Sequence, residues 1–321
     1  MPHLLLVRHG QSTNNVIEAQ LGDCPEFYQR RVVDPPLSAL GLAQAEALGR
    51  HLGPQLRAAA AQGRVRVVCS SMKRAMQTAQ PLAGWLDARP LVRPDCVERC
   101  GFFSVDAAGT QVAQHGPTGA DVLECFPTFD ASLLSASAEP TLETVADARV
   151  RAARVAAELL ATARSGSWHA PQDLEAPELL VLVAHADFIG MLVRAILDPT
   201  RAGVPVEESA AEQPKEPYYD LNNTATVHLV LLPSGRVRLL HWNRSDHLVE
   251  SLRSGVAWKN MPGCATAAEW ARHGEGGSGL RPLFEEARTV AAPEQPPRWP
   301  ALAAAALAGA LVALVASRSA R

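Results

Sequence analysis

Residues 4–12 read LLLVRHGQS, an apolar run that stops at a basic pair followed by a glycine. Four consecutive apolar residues are typical of a strand that is buried on both faces, as strands of parallel sheets are. Two more strand-like runs, 65–68 and 179–183, lead to polar residues in the same way, the first to Ser70 and the second to His185. Because helical patterns separate these runs, the sequence predicts an α/β fold: a three-layer sandwich with a mostly parallel central sheet.

Local signals predict the other elements. Ser38 is an N-cap residue before a helical pattern that continues to Leu52, and Gly53-Pro54 is predicted to end that helix. Residues 11–36 carry three prolines and are predicted to form a long loop. We also predict helices over 74–86, over 142–162 and from just after His185 to Ile196. A short strand is predicted at 91–92, and strands 224–232 and 237–242 are predicted to form an antiparallel hairpin.

The composition is that of a folded protein rather than a disordered one, since 47% of the 321 residues are hydrophobic and 20% are charged. A net charge of −3 provides no basic field that would hold nucleic acid, so we expect no nucleic-acid partner. The six cysteines include no CxxC pair, and no secretory segment precedes them. We therefore expect free thiols in a cytoplasmic protein, with no disulfides and no bound metal.

The sequence divides into a catalytic body and a C-terminal extension. The body is predicted over residues 1–271, with an insertion at about 101–140 that has no clean period and covers one end of the sheet. Residues 272–298 are polar and rich in proline, which predicts a linker. Residues 299–317 are predicted to form a transmembrane tail anchor.

The basis for that anchor is the uncharged stretch 301–316. At about 1.5 Å of rise per residue, a helix of this length spans about 24 Å, and flanking residues bring it near the ~30 Å hydrocarbon core of a bilayer. Trp299 suits one membrane interface, and Arg318 and Arg321 suit the other. The prediction is an anchor in an organelle membrane that faces the cytosol. The alternative is a helix that docks on the catalytic body.

Basic and nucleophilic residues follow the predicted parallel strands. Arg8 and His9 come after the first strand, Arg74 soon after the second, and His185 after the third. Ligands of open α/β sheets bind at the carboxyl ends of the strands, so these four side chains are expected to converge. Arginine presents a planar fork to phosphoryl oxygens, and a neutral histidine can attack phosphorus. The arrangement therefore aims two arginines and two histidines, residue types that suit such chemistry, at one small region.

The same residues belong to an ordered series of motifs along the chain. The series resembles the histidine phosphatase superfamily, in its phosphoglycerate mutase-like branch, over roughly residues 3–250. The matching segments are Arg8-His9-Gly10-Gln11-Ser12, Asn15, the D-x-x-L-S-x-x-G-x-x-Q-A pattern from Asp34 to Ala45, Ser70 to Ala79, Glu98 with Gly101, Ala184-His185, and Asn222 to Leu248.

The resemblance implies a role for each site residue. His9 is the nucleophile that forms a phosphohistidine, and Glu98 is the acid that protonates the leaving group and then activates water. Asp95, Asp106 and Glu124 are rivals for the role of Glu98. The phosphoryl group is bound by Arg8, Gln11, Ser12, Asn15, Arg74 and His185. No metal and no cofactor is implied.

Two departures from the family pattern bear on the substrate contacts and on the reaction. Ala186 replaces a glycine after the second histidine, which bears on the neighbouring substrate contacts. Glu98 is followed by Arg-Cys-Gly-Phe, whereas glycolytic mutases read Glu-Arg-His-Tyr-Gly, and the insertion after it also differs from theirs. We therefore favour a phosphatase, which acts on a phosphorylated small molecule or a phosphoprotein. The alternatives are a phosphoglycerate mutase-type transfer and a non-catalytic, membrane-anchored scaffold. The oligomeric state is left open.

Overall fold

A computed structural model describes residues 2–22, 24–136, 140, 142–165, 178–198, 220–232 and 234–255. The end of the catalytic body at residue 271, the predicted linker 272–298 and the predicted tail anchor 299–317 all lie outside these residues. Within the described ranges, every helix is too short or too polar to cross a membrane.

The described part of the chain alternates between strands and helices. The strands are β1 (His3–Arg8), β2 (Val65–Ser70), β3 (Leu91–Arg93), β4 (Phe103–Val105), β5 (Gln111–Ala113), β6 (Leu179–Ala184), β7 (Thr226–Leu231) and β8 (Val237–Arg244). The α-helices are α1 (Thr13–Leu21), α2 (Pro25–Arg30), α3 (Ala39–Ala60), α4 (Lys73–Leu86), α5 (Gly119–Cys125), α6 (Val145–Ser165) and α7 (Ala186–Leu197).

Six of the strands form one sheet in the order β3-β2-β6-β1-β7-β8. The first four strands run parallel, and β7 pairs antiparallel with both β1 and β8. The predicted α/β fold, its mostly parallel sheet and its closing hairpin are therefore confirmed.

The first strand, β1, is buried on both sides of the sheet. Leu4 and Leu6 belong to a core that includes residues of α6 and α7, whereas Leu5 and Val7 belong to a second core that includes residues of α3 and α4. Alternate side chains of one strand thus serve two helical layers, which is why the strand is a continuous apolar run. The three-layer arrangement is confirmed.

The predicted long loop over residues 11–36 was wrong, because the range contains α1 and α2. The Ser12 hydroxyl accepts from the Asn15 N–H at 3.2 Å, and the Asn15 side-chain oxygen accepts from the Ser12 N–H at 3.1 Å. This reciprocal cap starts α1. Pro25 is the first residue of α2. A backbone N–H at this position would have no acceptor within the helix, so proline is tolerated there.

The predicted end of α3 at Gly53-Pro54 was also wrong, since the helix continues to Ala60. Its last turns bury Leu56 and Ala59 in the core. A Cβ at Gly53 would lie 2.5 Å from the Cβ of Trp85 in α4. The glycine therefore permits close packing of two helices, and the burial of the following turn outweighs the hydrogen bond that Pro54 cannot make.

The insertion at residues 101–140 is more than a cover for the sheet. It contains α5 and the small antiparallel pair of β4 and β5. Phe126 and Phe129 are buried in the core on the α4 side, and the Val92 N–H donates to the Asp130 carbonyl at 2.9 Å. Part of the insertion is thus continuous with the edge of the sheet at β3.

Candidate active site

The carboxyl ends of β1, β2 and β6 meet at one buried site. His9 follows β1 and His185 follows β6, and the centroids of their rings lie 5.1 Å apart. Arg74, in the first turn of α4, donates from Nε to Nε2 of His9 at 3.1 Å. The structure therefore brings together the two histidines and an arginine that follow three separate strands.

His9 is held in one tautomer by its backbone neighbour. Nδ1 lies 2.6 Å from the Gly10 carbonyl, which can only accept, so we assign the proton to Nδ1. Nε2 then carries the lone pair that accepts from Arg74. Burial, followed by the charges of Arg74 and Arg8, holds the pKa of His9 well below its ordinary value. The ring is therefore neutral near pH 7, with its unprotonated nitrogen beside a guanidinium.

Two arginines make the site strongly positive. Arg8 and Arg74 are each only 9% exposed, and Arg8 donates from Nη1 to the Leu221 carbonyl at 2.5 Å. Burial lowers the pKa of Arg74, whereas the charges of Asp34 and Glu98 raise it. Because buried cations interact strongly with an oxyanion, this pair suits a phosphoryl dianion.

His185 is the N-cap residue of α7 and is fully buried. Its Nε2 lies 2.8 Å from the Ser70 hydroxyl at the end of β2. Its Nδ1 is buried and has no hydrogen-bond partner in the described part of the chain. Burial, together with the charges of Arg74 and His9, lowers the pKa of His185 well below its usual range. A bound oxyanion would stabilise the protonated ring, because it would offset the charge of Arg74.

Glu98 lies against the start of α7, next to His185. Its carboxylate accepts from the N–H groups of Arg99 and Phe188 at 3.0 Å each, and more distantly from that of Asp187 at 3.4 Å. Burial and the charge of Asp187 raise the pKa of Glu98, whereas the charge of Arg74 lowers it. The raised pKa favours a carboxyl group that can deliver a proton.

The three rival acids have other surroundings. Asp95 forms an ion pair with Arg93, and Asp106 accepts from backbone N–H groups within its own turn. Glu124 is exposed on α5. Of these four acids, Glu98 is the one whose charge raises the pKa of Arg74.

The loop after His9 is shaped by the polar residues that the sequence singles out. Ser12 and Asn15 cap α1 through each other, and the Asn15 oxygen also lies 3.5 Å from Nδ2 of Asn223. The Gln11 side chain instead accepts from the Ser38 hydroxyl at 2.7 Å, at the start of α3. Contact of Gln11, Ser12 and Asn15 with a phosphoryl group stays a prediction.

The comparison with protein families matches this chain over residues 4–205, to the model described as "Histidine phosphatase superfamily (branch 1)". This protein is a member of the histidine phosphatase superfamily. The resemblance predicted from the motif series is therefore confirmed. No curated protein matches the chain.

Solved structures of phosphatases are similar to this histidine phosphatase. A mycobacterial glucosyl-3-phosphoglycerate phosphatase in complex with VO3 is 25% identical, with a TM-score of 0.43 over 76% of this chain and 99% of its own. A phosphoserine phosphatase from Entamoeba histolytica in complex with 3-phosphoglyceric acid is 19% identical, with a TM-score of 0.42 over 78% of this chain and 100% of its own.

Two side chains that the sequence did not single out as site residues fix the backbone around His9. Thr78 accepts from the Gly10 N–H at 3.0 Å, and Asn223 donates from Nδ2 to the His9 carbonyl at 3.1 Å. Thr78 is four residues after Arg74 on the same face of α4, a spacing that could have indicated it. Asn223 is part of the last matching segment, but its contact with His9 depends on the folded sheet.

The loop of the histidine phosphatase also depends on a close approach between two glycines. A Cβ at Gly10 would lie 2.6 Å from the Gly41 carbonyl oxygen, and a Cβ at Gly41 would lie 2.0 Å from that of Gln11. Real Cβ atoms do not approach backbone oxygen so closely, so one segment would have to move. The loop that begins at His9 is therefore seated directly on the first turn of α3.

We expect Gly41→Ala to lower the free energy of unfolding by about 1–3 kcal/mol or more, because the methyl group cannot be accommodated without a backbone shift. Urea unfolding measures this change. The matched control is Gly84→Ala in α4, where a Cβ meets nothing within 4 Å. The control should gain roughly 0.5–1 kcal/mol from helix propensity. Similar changes in both variants would contradict the role of the glycine contact.

Proposed function

We propose that this histidine phosphatase hydrolyses phosphomonoesters through a phosphohistidine on His9. The observation that carries the proposal is the contact of His9 Nε2 with Arg74 Nε at 3.1 Å, while Nδ1 is fixed on the Gly10 carbonyl. A neutral histidine that presents its lone pair beside buried guanidinium groups is arranged to attack an anionic phosphorus centre.

In the first half of the reaction, the phosphoryl dianion binds between Arg8 and Arg74. Nε2 of His9 attacks phosphorus, the N–P bond forms, and the bond from phosphorus to the ester oxygen breaks. Glu98 gives its proton to that oxygen, so an alcohol leaves and a carboxylate is left behind. His185, beside the Ser70 hydroxyl, donates a further hydrogen bond to the charge that develops on the equatorial oxygens.

The second half returns the enzyme to its starting state. The Glu98 carboxylate accepts a proton from water as the water oxygen attacks phosphorus. The N–P bond breaks, its electron pair returns to Nε2 of His9, and inorganic phosphate leaves. Throughout both halves, the Gly10 carbonyl keeps the proton on Nδ1, which stabilises the positive charge of the phosphorylated ring.

The test is to mix the protein with a 32P-labelled phosphomonoester and to quench within one turnover. We expect an acid-labile, alkali-stable phosphoenzyme that decays to inorganic phosphate in water. A phosphoenzyme that persists until a second phosphoester is added, and then transfers to it, would indicate a mutase. The absence of both phosphoenzyme and product across a panel of esters would favour the scaffold and would refute the proposal.

The role of Glu98 predicts a dependence on the leaving group. Glu98→Gln keeps an oxygen for the N–H groups of Arg99 and Phe188 but has no proton to give. We expect kcat/KM for an alkyl phosphate, which reports formation of the phosphohistidine, to fall about 10²–10⁴-fold, and kcat/KM for p-nitrophenyl phosphate to fall far less, because that leaving group needs no proton.

The pH profile gives a second readout of the same residue. Burial raises the pKa of Glu98, so wild-type kcat/KM for the alkyl ester should decline only as the pH rises through that raised value, where the acid is lost. The variant should lack this limb. Glu124→Gln on α5 is the control and should behave as wild type. Equal losses of kcat/KM for both esters in Glu98→Gln would contradict the assignment.

A further inference from the structure

A third arginine, Arg31, directly follows α2. Its guanidinium carbon stands 3.6 Å from the centroid of the Phe103 ring in β4, and Nη1 donates to the Phe103 carbonyl. The stacked ring fixes the plane of the guanidinium. One of its five N–H donors is engaged by that carbonyl, so the group retains donors for another acceptor.

The backbone on either side of Arg31 is tied to the helices that carry the site. The next residue, Val32, donates to the Asn14 side chain at 2.9 Å and accepts from it at 2.8 Å. Asp34 accepts from the N–H of Lys73, the first residue of α4, at 3.0 Å. Asn14 directly precedes Asn15, and Lys73 directly precedes Arg74. Arg31 is thus held by the same two helices as the residues around the phosphoryl position.

Among the residues that the structure describes, no acid matches the charge of Arg31. In the part of the chain that the structure describes, no carboxylate forms an ion pair with it, although Arg30 pairs with Glu26 and Arg99 pairs with Asp187. Burial and the charge of Arg74 lower the pKa of Arg31 to about 10, which leaves it cationic near pH 7. A half-buried cation close to another cation is stabilised by an anion.

We propose that Arg31 binds a second anionic group of the substrate, a carboxylate or another phosphoryl group, while Arg8 and Arg74 hold the phosphoryl group that is transferred. The inference rests on the proposed function and names its substrate class: phosphomonoesters that carry a further negative charge near the ester. The supporting observations are the fixed position of the guanidinium and the lack of an acidic partner for it within the described ranges.

The test compares 3-phosphoglycerate with glycerol 3-phosphate, which has a hydroxymethyl group in place of the carboxylate. We expect wild type to have a higher kcat/KM for the carboxylated ester, and Arg31→Gln to reduce that preference about tenfold, as for the loss of one charge-assisted hydrogen bond. Arg30→Gln is the matched control, because Arg30 is the neighbouring arginine and is exposed beside Glu26. It should keep the wild-type preference.

A purely structural role of Arg31, as a clamp between α2 and β4, predicts a different result. In that case Arg31→Gln lowers kcat/KM for both esters by the same factor, and the proposal is overturned. A wild-type preference near one also overturns it. Phe103→Leu removes the stacked ring but keeps the charge, and it should keep most of the preference. A loss equal to that of Arg31→Gln would indicate packing instead.

Binding to the His9→Ala variant separates this inference from the proposed function. Dissociation constants for the two esters, with and without Arg31→Gln, need no turnover. If the carboxylated ester binds more tightly through Arg31 while wild type hydrolyses neither ester, the subsite stands and the proposed function fails. If wild type hydrolyses both esters and Arg31→Gln changes neither the binding ratio nor the kinetic ratio, the subsite is refuted and the hydrolytic function stands.

Discussion

His9→Ala is expected to abolish phosphomonoester hydrolysis, with kcat reduced about 10⁴-fold or more, because loss of a nucleophile removes the covalent pathway. The ring nitrogen that faces Arg74 is the atom that forms the N–P bond in our scheme, and alanine offers no substitute. The measurement is hydrolysis of p-nitrophenyl phosphate together with trapping of the phosphoenzyme. Both signals should vanish in the variant.

The matched control is His115→Ala, which removes an exposed histidine of the insertion. It should retain the kinetics and the phosphoenzyme of wild type. Thermal unfolding of both variants checks that His9→Ala is folded, since the substitution removes the hydrogen bonds that the ring makes with the Gly10 carbonyl and with Nε of Arg74. Turnover by His9→Ala at more than about a tenth of the wild-type rate would exclude His9 as the nucleophile, since a true nucleophile contributes far more.

Arg74→Lys is expected to lower kcat about 10³-fold, because an arginine that neutralises the transferring phosphoryl group contributes this much or more in phosphoryl transfer. The side chain is buried, and its Nε reaches His9 while the rest of the planar fork is left for oxygen atoms. Lysine keeps the charge but concentrates it at one point on a flexible stem. It cannot contact the histidine and two phosphoryl oxygens together.

Steady-state kinetics with an aryl phosphate separate two roles of Arg74. A loss in kcat shows that the guanidinium stabilises the transition state, whereas a rise in KM alone would limit it to substrate binding and would contradict our scheme. Arg50→Lys is the control, because this arginine of α3 is exposed and pairs loosely with Glu46 at 4.0 Å. It should leave both constants as in wild type.

The sequence predicted the parts of the fold that depend on local patterns. The apolar run from Leu4 to Val7 predicts a strand because both of its faces are buried, and Ser38 predicts the start of α3 because its hydroxyl accepts from the Gly41 N–H. The course of α3 past Gly53 could not be predicted in the same way. The reason that α3 continues is the close packing of Trp85 of α4 against Gly53. That contact joins residues that are far apart in the sequence.

The same distinction holds for the candidate site. His9, Arg74 and His185 could be expected together because strand ends of a parallel sheet share one edge. Arg31 could not be expected there, since its range was interpreted as a loop. The role proposed for it depends on its contact with Phe103, which is far away in the sequence. The helices α1 and α2 were missed because Asn15 replaces the usual acidic partner in the cap and because prolines also favour loops.

The position of β1 in the sheet has a consequence for the synthesis of the protein. β1 is an early element of the chain, yet its two neighbours in the sheet, β6 and β7, lie more than half of the chain further on. On the ribosome, the run from Leu4 to Val7 therefore emerges long before either partner and stays exposed meanwhile, as an apolar segment open to aggregation. Asn223, which holds the His9 carbonyl, emerges after β6 and just before β7. The nascent chain therefore cannot assemble the candidate site until β6 and Asn223 have been made.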